Sequence, residues 1–195
     1  MKNTKFRHIH AVSSALFFAL TILNQQVAYA QRTVSLTQMK CLTTSAEPGV
    51  DAWVTGGADV SIGQEVFTSV ATLRSGWEFM GSNYIPRHIP ASVACRIIPA
   101  GSKPRFRTLR LAFGLNNGNS YTKDDTLVRL TVILDGNTVE TKEIAKGEQG
   151  FLLLDVTNIR SVALKAECIA GRTCPSIVFV QTLLEEAPSS PGSRR

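Results

Sequence analysis

The residues best suited to chemistry cluster between positions 116 and 125. Asn116, Asn117 and Asn119 are followed by Tyr121, Asp124 and Asp125 in one polar stretch. An aromatic ring can stack on the apolar C–H face of a pyranose, while amides and carboxylates hydrogen-bond its hydroxyls. This stretch supplies both, although such a loop can equally be a solvated connector. Trp77, after Ser75-Gly76, and Tyr84, after Gly81-Ser82-Asn83, are two further aromatics with turn-like neighbours. For Trp53 and Trp77 a core role competes strongly, because large rings in small sandwiches are mostly buried. Asn117, Asn119, Asp124 and Asp125 are also the hard oxygen donors that calcium takes, but without EF-hand spacing. A structural calcium is therefore the one cofactor left open. No other cofactor or metal site is implied.

Histidine chemistry is nearly excluded. Of three histidines, His8 and His10 fall in the N-terminal leader described below, and His88 lies in the Pro-punctuated segment Tyr84-Ile-Pro-Arg-His-Ile-Pro90. A Ser-His-Asp or Cys-His centre would have only this one base. A zinc site with several histidines cannot form within one chain. Two carboxylates can hydrolyse a glycosidic bond, but no Asp or Glu pair stands in a distinctive setting. No enzymatic activity is expected.

The four cysteines are Cys41, Cys95, Cys168 and Cys174. Their spacing lacks the C-x2-C knuckles of zinc ribbons. An even count in an exported chain points to disulfides. Cys168-Ile-Ala-Gly-Arg-Thr-Cys174 closes a short loop, which favours a local Cys168–Cys174 bridge and leaves Cys41 for Cys95. Four cysteines allow three pairings, and the sequence does not choose among them.

Export is read from residues 1–30. Lys2, Lys5 and Arg7 precede an apolar stretch from Ala11 to Leu23, and Ala28-Tyr29-Ala30 forms an A-x-A site before Gln31. This is the pattern of a cleaved signal peptide. The leader holds three basic and no acidic residues, so its removal halves the formal net charge of +6. Elsewhere no apolar run approaches the roughly 20 residues a bilayer span needs, so an integral membrane protein is not expected. The cluster Lys103-Pro104-Arg105-Phe106-Arg107 is the only local concentration of basic charge. It reads as a solvated strand entrance or a small polyanion patch, and it does not call for nucleic acid. The expected location is secreted or periplasmic.

The elements that must position these residues are strands. Leu109, Leu111 and Phe113 alternate with Arg110; Val128, Leu130, Val132 and Leu134 alternate with Arg129 and Thr131; Val162 and Leu164 precede the outward Lys165. This is the period of half-buried strands. Asp135-Gly136-Asn137 is a hairpin signal, and residues 146–150 are another turn. Gly63 to Ser75 fits either short strands or one helical turn. No amphipathic helix of normal length is present. These patterns predict an all-β, antiparallel β-sandwich over residues 33–186, with a disordered Pro- and Ser-rich tail at 187–195. Hydrophobic residues at 44% and charged residues at 18% are enough for one packed core.

From Phe106 the order of strands and turns resembles a known family. Phe106-Arg-Thr-Leu-Arg-Leu-Ala-Phe-Gly-Leu115, Val128-Arg-Leu-Thr-Val-Ile-Leu-Asp-Gly136, Leu152-Leu-Leu-Asp-Val156 and Ile159-Arg-Ser-Val-Ala-Leu-Lys-Ala166 succeed one another. This is similar to the NPCBM family of carbohydrate-binding modules. The resemblance implies a galactose-binding-like β-jelly roll. It covers roughly the last half of the exported chain and specifies fold better than function. Where that family often carries acidic residues after its V-G-L-like turn, this chain has Asn116 and Asn117. The resemblance implies a non-catalytic domain binding a glycan or cell-envelope polysaccharide; by their chemistry the contacts are expected from Tyr121, Asn116, Asn117 and Asp124, with Trp77 and Tyr84 as further candidates. The alternative is an envelope protein-interaction or structural domain on the same fold. Exposed aromatics beside amides would favour the first, and an apolar patch or free sheet edge the second.

Overall fold

The computed structural model describes residues 32–44, 52–74, 77–80, 83–86, 89–171 and 174–186, the backbone alone for 77–80 and 83–86. The expected signal peptide, His88 and the expected C-terminal tail lie outside the described residues. Strands β1 (Thr33–Ser35) and β2 (Lys40–Thr43) flank a single 3-10 turn, Leu36–Gln38. Six short strands follow: β3 (Trp53–Thr55), β4 (Asp59–Ile62), β5 (Glu65–Thr68), β6 (Ala71–Leu73), β7 (Trp77–Met80) and β8 (Asn83–Pro86). The long strands are β9 (Ala91–Arg96), β10 (Phe106–Leu115), β11 (Leu127–Leu134), β12 (Asn137–Ala145), β13 (Gln149–Asp155), β14 (Ser161–Ala170) and β15 (Ile177–Glu186). The uncertain Gly63–Ser75 segment resolves into strands β5 and β6 rather than a helical turn.

Two antiparallel sheets form the sandwich. One runs β13-β10-β15-β6-β3 with β1 added on β15, and the other runs β12-β11-β14-β9-β2. Hairpins β4–β5 and β7–β8 stand apart from them. The expected alternation is observed. Val128, Leu130 and Val132 are fully buried on β11, as are Leu109 and Leu111 on β10 and Val162 and Leu164 on β14. Each such side chain contributes about 1.5–3 kcal/mol by leaving water. Trp53 packs edge-on against Phe179 at 5.4 Å, and Phe179 lies 5.6 Å from Phe113, so Trp53 serves the core. Strand β12 buries only Ile144. As an edge it carries Glu140, Lys142 and Glu143, charges that discourage further strand pairing.

Covalent closure differs from the expected pair of bridges. Cys41 and Cys95 face each other across β2 and β9 and are joined by a disulfide. Cys168 and Cys174 are both buried but are not bridged; they sit together as thiols. The hydrogen bond with Cys174, then burial, pushes the Cys168 thiol far above its ordinary pKa.

Strand direction assigns the loops to two ends. Strand β10 runs out at Leu115 and β11 begins at Leu127, so residues 116–126 lie at one end, with the β12–β13 turn. At the other end β9 leaves at Arg96, β14 begins at Ser161, and β11 turns into β12 through Asp135-Gly136. Both turn residues have positive φ, 46° and 87°, as a tight two-residue hairpin requires.

Candidate functional site

Residues 116–126 are wound into successive turns. The Asn119 amide donates to the Asn116 carbonyl at 3.1 Å, and Thr122 to Asn119 at 2.9 Å. The Asn119 side chain accepts from the Tyr121 amide at 2.9 Å, and the Thr126 hydroxyl from the Lys123 amide at 3.0 Å. Asn and Thr side chains here substitute for main-chain partners.

Asn116 and Asn117 hold the loop to the β4–β5 hairpin. Asn116 Oδ1 accepts from the Ser61 amide at 3.4 Å and the Gly118 amide at 3.0 Å. Asn117 Nδ2 donates to the Gly63 carbonyl, and its amide to the Ser61 carbonyl, both at 2.7 Å. The hairpin can approach this closely because position 114 is glycine. A Cβ there would sit 2.6 Å from Ile62 Cγ2 and 2.8 Å from the Glu148 carbonyl oxygen. The sequence placed these amides as hydroxyl partners for a sugar; in the structure much of their bonding capacity goes to the chain itself.

Tyr121 is half-buried in the same loop. Asp124 is 94% exposed and forms a 2.8 Å ion pair with Lys146. The hydrogen bond and charge of Lys146 lower its pKa. Thus Asn116, Asn117, Tyr121 and Asp124 share one end of the sandwich. Trp77 and Tyr84 belong to the β7–β8 hairpin, where Trp77 pairs with Pro86 and Tyr84 with Phe79. Their side chains lie outside the description. Among the described residues no group of three or more His, Cys, Asp or Glu could hold a metal ion.

A second surface was missed by the sequence reading. Phe151 and Leu153, on edge strand β13, are 54% and 58% exposed. Arg110 stands opposite Leu153 on β10, its guanidinium 6.0 Å from the Phe151 ring centroid and paired to Glu185 at 2.8 Å. The signal was available. If Leu152 and Leu154 face inward, Phe151 and Leu153 must face out.

Several solved structures share this fold. A fragment of Clostridium perfringens ZmpB comprising CBM51-2 and INT domains aligns with a TM-score of 0.58 and 12% identity, covering 80% of this chain and 32% of that one. The same domains in complex with GlcNAc give 0.56 and 10%, with 80% and 32% covered. The CBM51 from Clostridium perfringens GH95, in complex with methyl-galactose, gives 0.53 and 10%, with 78% and 99% covered. The chain has the fold of a CBM51 module. In the longest of these matches, the ZmpB M60 catalytic domain with two CBM51 domains, it spans only 15% of the other chain. No family model matches the chain, and no curated protein matches it. The expected galactose-binding-like sandwich is therefore observed, while the narrower NPCBM reading rests on its strand-and-turn pattern alone. The sandwich presents loops at two ends and an outer face on each sheet. Here one end is the Tyr121 loop, and one outer face carries Phe151.

Proposed function

We propose that this chain is an exported, non-catalytic domain that binds a glycan of the cell envelope or surroundings. The observation that carries the reading is the sandwich shared over 78–80% of the chain with CBM51 domains solved with methyl-galactose and with GlcNAc. Among the described residues the carboxylates with displaced pKa, Asp124, Asp135 and Asp155, are all displaced downward. A general acid for glycoside hydrolysis needs the opposite. Among the described residues no helix is long and apolar enough to cross a membrane, and the Cys41–Cys95 bridge suits an oxidising compartment.

Two aromatics are offered to the sugar. Tyr121 lies at the loop end with Asn116, Asn117 and Asp124, and Phe151 lies on the outer face beside Arg110. A glycan array of the purified protein tests the reading, repeated with Tyr121→Ala and Phe151→Ala. Loss of signal in one variant, with unchanged thermal melting, assigns the site. Binding that survives both moves attention to Trp77 and Tyr84. Absence of any glycan signal overturns the reading. The exposed Phe151–Leu153 strip on a free sheet edge would then favour a protein-docking domain in the envelope.

A further inference from the structure

At the end of the sandwich opposite Tyr121 there is an open cleft of about 540 Å³. Arg96 and Arg160 line it, with Ile98, Pro99, Ser102 and Ser161. Both arginines are solvent-exposed. Neither makes a salt bridge to a described carboxylate, whereas Arg105, Arg110 and Arg129 all do. The carboxylate next to the cleft forms no salt bridge with either guanidinium and is engaged by other groups of two lining residues. Asp135 accepts from the amides of Arg160 at 3.1 Å and Ser161 at 2.8 Å, and from the Ser161 hydroxyl at 3.0 Å.

The sheet register adds a second, independent feature. Arg96 on β9 lies directly opposite Ser161 on β14 and directly opposite Lys40 on β2. Directly opposed residues share a face, so Lys40 and Arg96 are like charges side by side, an unfavourable pairing in a sheet. Lys40 does not line the cleft, but an anion held there by Arg96 would relieve the pairing. The turn that walls the cleft, Pro99 to Ser102, leads straight into Lys103. The basic cluster noted in the sequence therefore begins at the rim.

We propose that this cleft is an anion subsite that takes an oxyanion carried on a sugar, the carboxylate of a uronic acid or a sulfate ester. A guanidinium matches both groups with parallel N–H donors. Apolar walls from Ile98 and Pro99 suit the C–H face of the ring that bears the anion. The nature of the carrier rests on the carbohydrate reading above; the preference for an oxyanion rests on the arginines.

The test uses full-length protein expressed with its own leader and three oligosaccharides of matched length: neutral galactan, oligogalacturonate and a sulfated galactan. Affinities are measured by calorimetry for the wild type, Arg96→Ala, Arg160→Ala, Arg96→Lys and the charge control Lys142→Ala. The expected result is at least tenfold tighter binding of one acidic oligomer than of the neutral one. Carboxylate and sulfate arms identify which oxyanion is taken. Arg96→Ala and Arg160→Ala should each remove most of that preference, Arg96→Lys should restore part of it, and Lys142→Ala should keep it. Equal affinity for neutral and acidic oligomers would overturn the subsite and leave the carbohydrate reading standing. So would an acidic preference that survives both alanine variants. If no oligomer of any kind binds, both readings fall together.

Discussion

The two ends of this sandwich are closed by different means. At the Tyr121 end the closure is made of many small polar contacts. Asn116, Asn117, Asn119 and Thr126 spend side-chain groups on neighbouring main chain, and the β4–β5 hairpin is drawn down onto Gly114. At the cleft end one carboxylate, Asp135, makes such contacts, and a disulfide between Cys41 and Cys95 adds a covalent tie one residue from Lys40 and Arg96. Polar side chains that hold a loop have less capacity left for a ligand, whereas a covalent bridge leaves neighbouring charges unspent. Amides that look like binding groups in sequence thus act as fasteners, while arginines that look like ordinary surface line an open cleft.

The largest expected effect comes from cutting the covalent closure. The bridge spans 54 residues, and a loop of that length corresponds to about 4 kcal/mol of chain entropy removed from the unfolded state. Cys41→Ser should lower unfolding stability in urea by roughly this much. A loss below about 1 kcal/mol would mean the cleft end is held by packing instead. A thiol titration of denatured, unreduced protein sharpens the same contrast. Two thiols per chain are expected, from Cys168 and Cys174. A count of none would show the second pair bridged as well, and four would dissolve the distinction between the ends.

Next is the close approach at the loop end. Gly114→Ala forces a methyl group against Ile62 and the Glu148 carbonyl. Overpacking of this kind costs about 1–3 kcal/mol. Because the hairpin must lift, amide exchange at Ser61 and Asn117, which bond across this junction, should accelerate more than exchange in β11. Unchanged protection at both amides would show that Gly114 does not set the hairpin's seat.

Asp135 offers a smaller and pH-dependent break at the cleft end. Burial acts to raise its pKa, but the hydrogen bonds from Arg160 and Ser161, with the charge of Arg160, outweigh it and the net shift is downward. A folded pKa below the unfolded one means that the stabilisation is complete above the unfolded value and is lost as pH falls through the folded value. Asp135→Asn keeps a residue tolerant of positive φ and should cost about 1–2 kcal/mol near neutral pH. The gap between wild type and variant should shrink as melts are run toward pH 2. A gap of constant size would mean the carboxylate's charge plays no part.

Much of the fold was legible because one face of each long strand is buried. Alternation located β10, β11 and β14, and Asp135-Gly136 located the β11–β12 hairpin. The short strands were harder. β3, β5 and β6 have three or four residues each, too few to display a period. The site was less legible for a different reason. Whether an Asn faces a ligand or fastens a loop depends on what packs beside it, and Asn117 meets Gly63 across 54 positions. The opposition of Lys40 and Arg96 depends likewise on β2 pairing with β9, which no local pattern shows. Phe151 is the exception, since its outward face follows from its neighbours.

The smallest expected effect tests whether the loop end also relies on charge. Asp124 and Lys146 meet at 2.8 Å, yet the carboxylate is almost fully in water. Solvent and salt screen such a pair, so its geometry says little about stability. Lys146→Ala should therefore leave the melting temperature within about 1 °C. The same change should still be visible at Asp124 itself. Lys146 is the chief cause of its lowered pKa, through a hydrogen bond and then through charge, so removing it should raise the pKa of Asp124, as read by NMR titration of the side-chain carboxyl. A marked loss of stability instead would place part of the loop's closure on this ion pair, and the two ends would then differ in degree rather than in kind.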